Sequence, residues 1–495
     1  MHPGLAADLA RLPELLEETR QQALAFLAGL DERPVVPQAR AHAPVQSRTQ
    51  AQPDPTDTGT DTDTGTDPGT GTARPAGLAE TGGGLPAALA EFAERWEPRL
   101  SASAGPRYFG FVTGGATPAA LAGDWLTSAV DQNSNSSLDP AGQHLERETV
   151  GWLRELFGLS QAHHGTFVSG ATMSNTVGLA IAREWLGERL GVDVAEDGVG
   201  ALGPVRVLSG GAHSSVSKAL SVLGLGRTAL RSVPLLPGRE AVDPAALERA
   251  LADTDGPCVV VANAGTVNTV DFDDLRAIAD LRERYGFWLH VDAAFGAFAA
   301  LSPEHAELVA GLDLADSVCV DLHKWLNVPY DSAVQFTRRP DLQARVFRNS
   351  AAYLAQVGEH PDLVHLTPEN SHRLRALAAW FTLRAYGRSG HREIVERNIA
   401  GARALGEAVG RIDGLELLAP VRLNVVCFTL ATDPTPERLA ALAADLADEA
   451  FLTPTRYADR PALRAAFSNW RTTEADVQRT AEALARAVRK PTGGR

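Results

Sequence analysis

Of the 46 Lys and Arg residues in this chain, only Lys218, Lys324 and Lys490 are lysines. Where positive charge alone is wanted, the chain uses arginine. A lysine inside an apolar segment therefore invites a chemical reason, because an amine can lose its proton and attack while a guanidinium cannot. Lys490 lies in the polar tail ARAVRKPTGGR, and Lys218 in HSSVSKALSVLG falls on the predicted surface of a helix. Lys324 instead follows the apolar run SVCVDL as His323-Lys324. Burial there is expected to lower its pKa and make it a nucleophile toward an aldehyde.

Two further segments carry chemistry. WLHVDA closes with Asp292, a carboxylate that needs a partner at the end of so apolar a strand. His290, two residues earlier, shares its face, so one reading is a buried His–Asp hydrogen bond. The other is that Asp292 holds a proton on a heterocyclic nitrogen. In VSGATMSN, small residues at 169–172 stand where a strand turns into a helix, a place where backbone N–H groups attract phosphate. An anion cradle, a carboxylate and a nucleophilic lysine are together what pyridoxal phosphate requires. Asp292 and Lys324 are 32 residues apart, about one crossover unit, so they can occupy adjacent strand ends.

The elements that must position these residues show in the pattern. From about residue 101, apolar runs (TFVSGA, VRVLSG, CVVVANAG, WLHVDA, SVCVDL, SAVQFT) alternate with helical stretches. This predicts an α/β fold with a mainly parallel sheet covered on both faces. After residue 384 a helix and short strands predict a smaller C-terminal α/β domain. Residues 1–33 read as an amphipathic helix, with Leu5, Leu9, Leu12 and Leu16 at helical spacing. Residues 34–84, rich in Pro, Thr, Gly and Asp, read as a disordered insertion without a catalytic role. The division expected is an N-terminal segment 1–112, a large domain 113–383 and a small domain 384–495.

Composition narrows the classes. The formal charge is −15, which argues against a nucleic-acid or polybasic membrane surface. Cys258, Cys319 and Cys427 are too far apart for a CxxC redox site or a thiolate metal cluster, and no metal site is expected. The first residues lack a signal-peptide pattern, and no run reaches the roughly 18 apolar residues of a spanning helix, so the cytoplasm is the expected location.

HVDAAFGAF, DLHKWLNVPYDSA, AHSSVSKA and SGATMSN jointly resemble the motif set of the pyridoxal-phosphate-dependent group II amino acid decarboxylases. That family includes the aromatic-amino-acid, histidine and glutamate decarboxylases. The resemblance covers roughly residues 85–490. It implies the aspartate-aminotransferase-like fold (fold type I) with a seven-stranded sheet, and a homodimer with the active site at the interface. It further implies that Lys324 holds the cofactor as a Schiff base, Asp292 pairs with the pyridinium nitrogen and His213 stacks over the ring. Ala171 and Thr172 fall at the phosphate; Ala294 and Asp321 join the cofactor set. Phe111, Thr113 and Tyr330 fall in the substrate pocket, with His323 at its edge. Tyr353 matches the mobile-loop tyrosine that returns a proton after CO₂ leaves.

The match departs from the family at Gly265-Thr266-Val267-Asn268, where many members have a threonine run. A hydroxyl near the cofactor is then lost at Val267, or its place is taken by Thr266 or Asn268. Gly110 and Tyr330 also reshape the pocket. Phe111, Trp325 and Tyr330 favour an aromatic or imidazole substrate over an acidic one. The expected reaction is decarboxylation of an L-amino acid to the amine. The alternatives are a decarboxylative oxidative deaminase giving an aldehyde, and an aminotransferase with Arg471 holding the α-carboxylate.

Overall fold

The apolar runs pair into one sheet: β1 (His164–Val168), β2 (Val207–Ser209), β3 (Leu230–Ser232), β4 (Val259–Asn263), β5 (Trp288–Asp292), β6 (Ser317–Asp321) and β7 (Ala333–Thr337). The computed structural model describes residues 1–37, 78, 80–133, 140–349 and 361–490. The strand order is β1-β7-β6-β5-β4-β2-β3. Only β7 runs against its neighbours; the other pairs are parallel. Every residue of β4, β5, β6 and β7 is buried, as a sheet covered on both faces demands. Helices lie against it, among them Ala171–Leu190, Ser214–Val222 and Leu275–Tyr285.

The carboxyl edge of this sheet positions the site. β5 and β6 are parallel neighbours, with Asp292 paired to Cys319. Asp292 and the helical turn Leu322–Trp325, which carries Lys324, therefore emerge side by side. The helix Ala171–Leu190 closes over β5 because residue 178 is glycine: a Cβ there would stand 2.6 Å from His290 Cε1. The segment 110–115 packs directly on the lysine turn, where a Cβ on Gly114 would lie 1.7 Å from the Lys324 carbonyl oxygen. No side chain fits at that position.

A second sheet, order β10-β11-β9-β8, holds β8 (Leu415–Leu417), β9 (Val425–Leu430), β10 (Thr453–Tyr457) and β11 (Arg460–Ala466), all antiparallel. Its own core includes Phe428, Leu463, Phe467 and Leu484. The helix Ala376–Arg411 serves both units and is interrupted at Gly387, which takes φ 57°. The boundary drawn at 383/384 thus falls inside this helix, just ahead of its break.

The N-terminal stretch is two helices rather than one, Pro3–Ala10 and Leu12–Ala28. Pro13 lacks the N–H that would continue the first, so the chain breaks at Arg11 and starts again. The composition shift at residue 34 does not end the packed structure there. Val35 is 2% exposed, and Val36 N–H donates to the Ala447 carbonyl at 2.9 Å. Residues 38–77 lie outside the described residues, and the helix Gly84–Glu91 starts at the expected insertion's last residue. Cys258, Cys319 and Cys427 are buried free thiols; burial pushes Cys258 up to about 11 and Cys427 to about 12. Among the described residues, no helix is long and apolar enough to cross a membrane.

Candidate active site

A cavity of about 470 Å³ opens at the carboxyl edge of the large sheet. Asp292, Lys324 and His213 all line it, with Ala171, Ala294 and Thr266. The strand ends thus bring together the residues whose types suggested chemistry.

Asp292 is 7% exposed. Its Oδ2 accepts from Asn175 Nδ2 at 2.8 Å and its Oδ1 from the Ala294 backbone N–H at 3.2 Å. The direct His290–Asp292 hydrogen bond expected from their spacing is not made. Asn175 stands between them, its Oδ1 lying 2.9 Å from His290 Nε2. Among the described residues, Asp292 makes no ion pair within 4 Å, so a cationic group in the cavity would be its natural complement.

Lys324 Nζ lies 2.8 Å from Asp321 Oδ2 and 5.6 Å from the centre of the Phe295 ring. The expectation of a lowered pKa is corrected by this contact. Burial pulls the ammonium down, but the Asp321 charge and hydrogen bond, with Asp292 behind them, outweigh it and leave the pKa above the ordinary lysine value. Asp321 also accepts from the Ala171 N–H at 2.6 Å, tying the start of the helix Ala171–Leu190 to the lysine turn. That helix has no side-chain cap at Gly170.

His213 stands at the N-cap of the helix Ser214–Val222, its Nδ1 accepting from Ser215 N–H at 3.3 Å and lying 2.8 Å from Ser215 Oγ. Its ring is open to solvent on the cavity side. Crowding by protein on the other side lowers its pKa from the ordinary imidazole value, with Asp292 and Lys324 pulling in opposite directions.

The pyridoxal-dependent decarboxylase conserved domain matches residues 80–431. The chain belongs to this family. The L-2,4-diaminobutyrate decarboxylase of Acinetobacter baumannii is 30% identical over 346 residues, 66% of this chain and 68% of its own. The aromatic-L-amino-acid decarboxylase of Bacillus atrophaeus is 28% identical, covering 75% of this chain and 79% of its own. The cysteine sulfinic acid decarboxylase of Homo sapiens is 32% identical, covering 65% and 66%. The crystal structure of Oryza sativa TDC with PLP and tryptamine superposes with a TM-score of 0.83 at 23% identity, covering 98% of this chain and 99% of that one. The fold is therefore fold type I, and the protein is an amino acid decarboxylase with pyridoxal phosphate as cofactor. The cavity's donor set fits that group, with a carboxylate for a pyridinium nitrogen and an amine for an aldehyde.

The decarboxylase places its other expected residues unevenly. Thr172 is exposed on the first helical turn and is not part of the cavity wall. Thr266 lines the cavity, but its hydroxyl donates to Glu240 at 2.6 Å. Asn268 donates to Glu240 at 3.1 Å and accepts from Thr455 Oγ1 at 2.6 Å, turned toward β10. Neither is free to take the place of the hydroxyl lost at Val267, because Glu240 claims both. Phe111 lines the cavity mouth, held there by left-handed φ values of 54° and 60° at Phe111 and Val112. Such strain costs roughly 1–2 kcal/mol per residue.

Thr113, Tyr330 and His323 form a separate group. Thr113 Oγ1 and Tyr330 Oη are 3.1 Å apart, and the Tyr330 ring packs 4.3 Å from that of His323. Thr113 and Tyr330 line a neighbouring groove with Leu24, Trp125 and Arg471. His323 is buried behind the lysine, its Nε2 3.5 Å from Asp321 Oδ1, and burial lowers its pKa. Trp325 is a correction: it is 1% exposed and donates to Asn398 at 2.8 Å, so it belongs to the core and not to the pocket. Tyr353 lies outside the described residues.

Arg464 was not anticipated. It is 7% exposed on β11, lines the cavity and donates to the Val267 carbonyl. Among the described residues it makes no ion pair, and burial lowers its pKa from the usual arginine value. The signal was a charge inside the apolar strand RPALRAA, legible only once that strand is known to face the cavity.

Proposed function

We propose that this decarboxylase acts on an L-amino acid with an aromatic or imidazole side chain and releases CO₂ and the amine. The observation that supports this most is one cavity lined by Lys324, Asp292, His213 and the exposed ring of Phe111. Phe111 belongs to an aromatic cluster, 5.8 Å from Phe451, which in turn stacks on Tyr108 at 4.7 Å. The cluster depends on Gly110, since a Cβ there would come within 2.1 Å of the Phe451 ring.

When bound, the cofactor supplies an aldehyde that takes amines and a ring that accepts the electrons released with CO₂. In this reading Lys324 would hold the cofactor through its amine. Asp292 would keep a proton on the ring nitrogen, and His213, which lines the same cavity, would help hold the ring. Arg464 offers a buried cation to an anionic group of the ligand. Tyr353 delivers a proton to the substrate Cα while excluding water.

A screen of the standard L-amino acids, scoring CO₂, amine, ammonia and peroxide for wild type and Tyr353→Phe, tests this reading. Wild type should give amine from an aromatic or imidazole substrate. Tyr353→Phe keeps the ring but not the acid, so CO₂ release should slow and the product shift toward aldehyde, ammonia and peroxide. An unchanged rate and product ratio would remove Tyr353 from the mechanism, and preference for an acidic or diamino substrate would overturn the substrate class.

The same reading makes the protein a homodimer with the site at the interface. Leu5, Leu9, Leu12 and Leu16 are 65%, 59%, 43% and 57% exposed on the first two helices. Fully burying a leucine is worth about 1.5–3 kcal/mol, and roughly half of that remains to be gained at each of these, so a second copy is the natural cover. Sedimentation should show twice the mass of one chain, with removal of residues 1–28 shifting it toward monomer. A monomeric full-length chain with full activity would contradict this.

A further inference from the structure

Behind Asp292, on the side away from the cavity, lies a continuous hydrogen-bond chain. Trp288, His290 and Asp292 share one face of β5, and Ser317 pairs with His290 across β6. Trp288 Nε1 is 3.0 Å from Ser317 Oγ, which is 2.8 Å from His290 Nδ1. His290 Nε2 is 2.9 Å from Asn175 Oδ1. Asn175 Nδ2 then divides between Asp292 Oδ2 at 2.8 Å and Ser215 Oγ at 3.0 Å. Ser215 Oγ meets His213 Nδ1 at 2.8 Å. Asn175, His290 and Ser317 are each 0% exposed, and Trp288 is 1% exposed.

The direction of this chain is set by its ends. An indole N–H can only donate, so Ser317 Oγ accepts it; the Asn175 oxygen at His290 Nε2 calls for a donor there, which leaves Nδ1 of the neutral ring to accept the Ser317 hydrogen. His290 is then the Nε2–H tautomer and donates to the Asn175 oxygen, which turns the Asn175 amide toward Asp292 and Ser215. Burial agrees with a neutral ring, bringing the His290 pKa down to about 4. An ionised Asp292 only accepts, which closes that branch. On the other, the Ser215 N–H already requires Nδ1 of His213 to accept, so the Ser215 hydroxyl donates there too and the His213 proton sits on Nε2. One amide thereby orients both Asp292 and His213.

We propose that Asn175 and His290 are positioning residues for the reaction: through this one-way chain they hold the Asp292 carboxylate and the His213 ring in fixed orientation, so that the cofactor's ring nitrogen keeps its proton. The inference rests on the reading that Asp292 faces that nitrogen. His290 touches neither cofactor nor substrate. Its loss leaves the Asn175 oxygen without its buried donor, so the amide is no longer held in place against Asp292 and Ser215. Losing a buried partner in such a chain weakens what it holds by roughly 10- to 100-fold.

The test uses His290→Leu, His290→Gln, Ser317→Ala and Asp292→Asn, each checked for native thermal unfolding. The readouts are the dissociation constant of the stripped protein for pyridoxal phosphate, the visible absorption of the reloaded enzyme, and kcat and KM taken separately. His290→Leu should weaken cofactor binding roughly 10-fold or more, displace the absorption band and lower kcat with little change in KM. His290→Gln, which can still donate to Asn175, should recover most of this. Ser317→Ala, which removes one oxygen, should shift the band in the same direction by less and keeps the inference testable where His290→Leu does not fold. Wild-type affinity and band in His290→Leu, or in Ser317→Ala if only that variant folds, would overturn the inference provided Asp292→Asn changes both. An Asp292→Asn protein with an unchanged band would overturn the underlying reading instead.

Discussion

Replacing Lys324 with alanine should abolish turnover, and replacing it with arginine should do so equally. The loss should be on the order of 10⁴-fold or more, as when a covalent nucleophile is removed. The arginine variant separates chemistry from charge. A guanidinium at this position could still meet Asp321, which now lies 2.8 Å from Nζ, but it cannot bond to an aldehyde carbon. If the lysine were only a counterion, arginine would restore activity. Steady-state turnover at saturating cofactor decides it, and a Lys324→Arg enzyme above a tenth of wild-type activity would remove Lys324 from the reaction.

Asp292→Asn should lower kcat by roughly 10²- to 10³-fold, the scale of losing one fixed electrostatic contact in a water-poor site. The substitution keeps the shape and removes the charge. Nothing cationic pairs with this carboxylate within 4 Å among the described residues, which leaves its charge available to a cationic ligand group. Asn175 and Ala294 already satisfy one oxygen each, which fixes the carboxylate's orientation before anything binds. Asp292→Glu keeps the charge but lengthens the side chain, and should recover only part of the loss. Equal kcat for Asp292→Asn and wild type would show that the carboxylate is structural.

Much of the large sheet was legible because its strands are apolar runs broken by chemistry-bearing residues at their ends: VVVAN, WLHVD and SVCVD became β4, β5 and β6. Lys324 and Asp292 stood out for the same reason, each being costly where it sat, whereas His213 was marked only by the family resemblance. What was missed depends on contacts distant in sequence. Arg464 reaches the cavity from another unit of the fold, and Asn175 meets Asp292 across 117 residues. Glu240, in an unremarkable loop, takes Thr266 and Asn268 away from their expected role. β3 and β8 span three residues each, too short for a period to show. Trp325 was read as pocket because composition cannot say which side of a turn a ring takes. The sign of the Lys324 shift was open to the sequence, since Asp321 sits three residues before it, one helical turn away.

The central claim is that one of three lysines carries the cofactor. Borohydride reduction of the holoenzyme, followed by digestion and mass mapping, reads this directly. The label should lie on the peptide containing Lys324, beside the Asp292 cavity. A label on Lys218, exposed on the helix Ser214–Val222, or on Lys490, paired with Asp445 at 3.2 Å, would contradict the account.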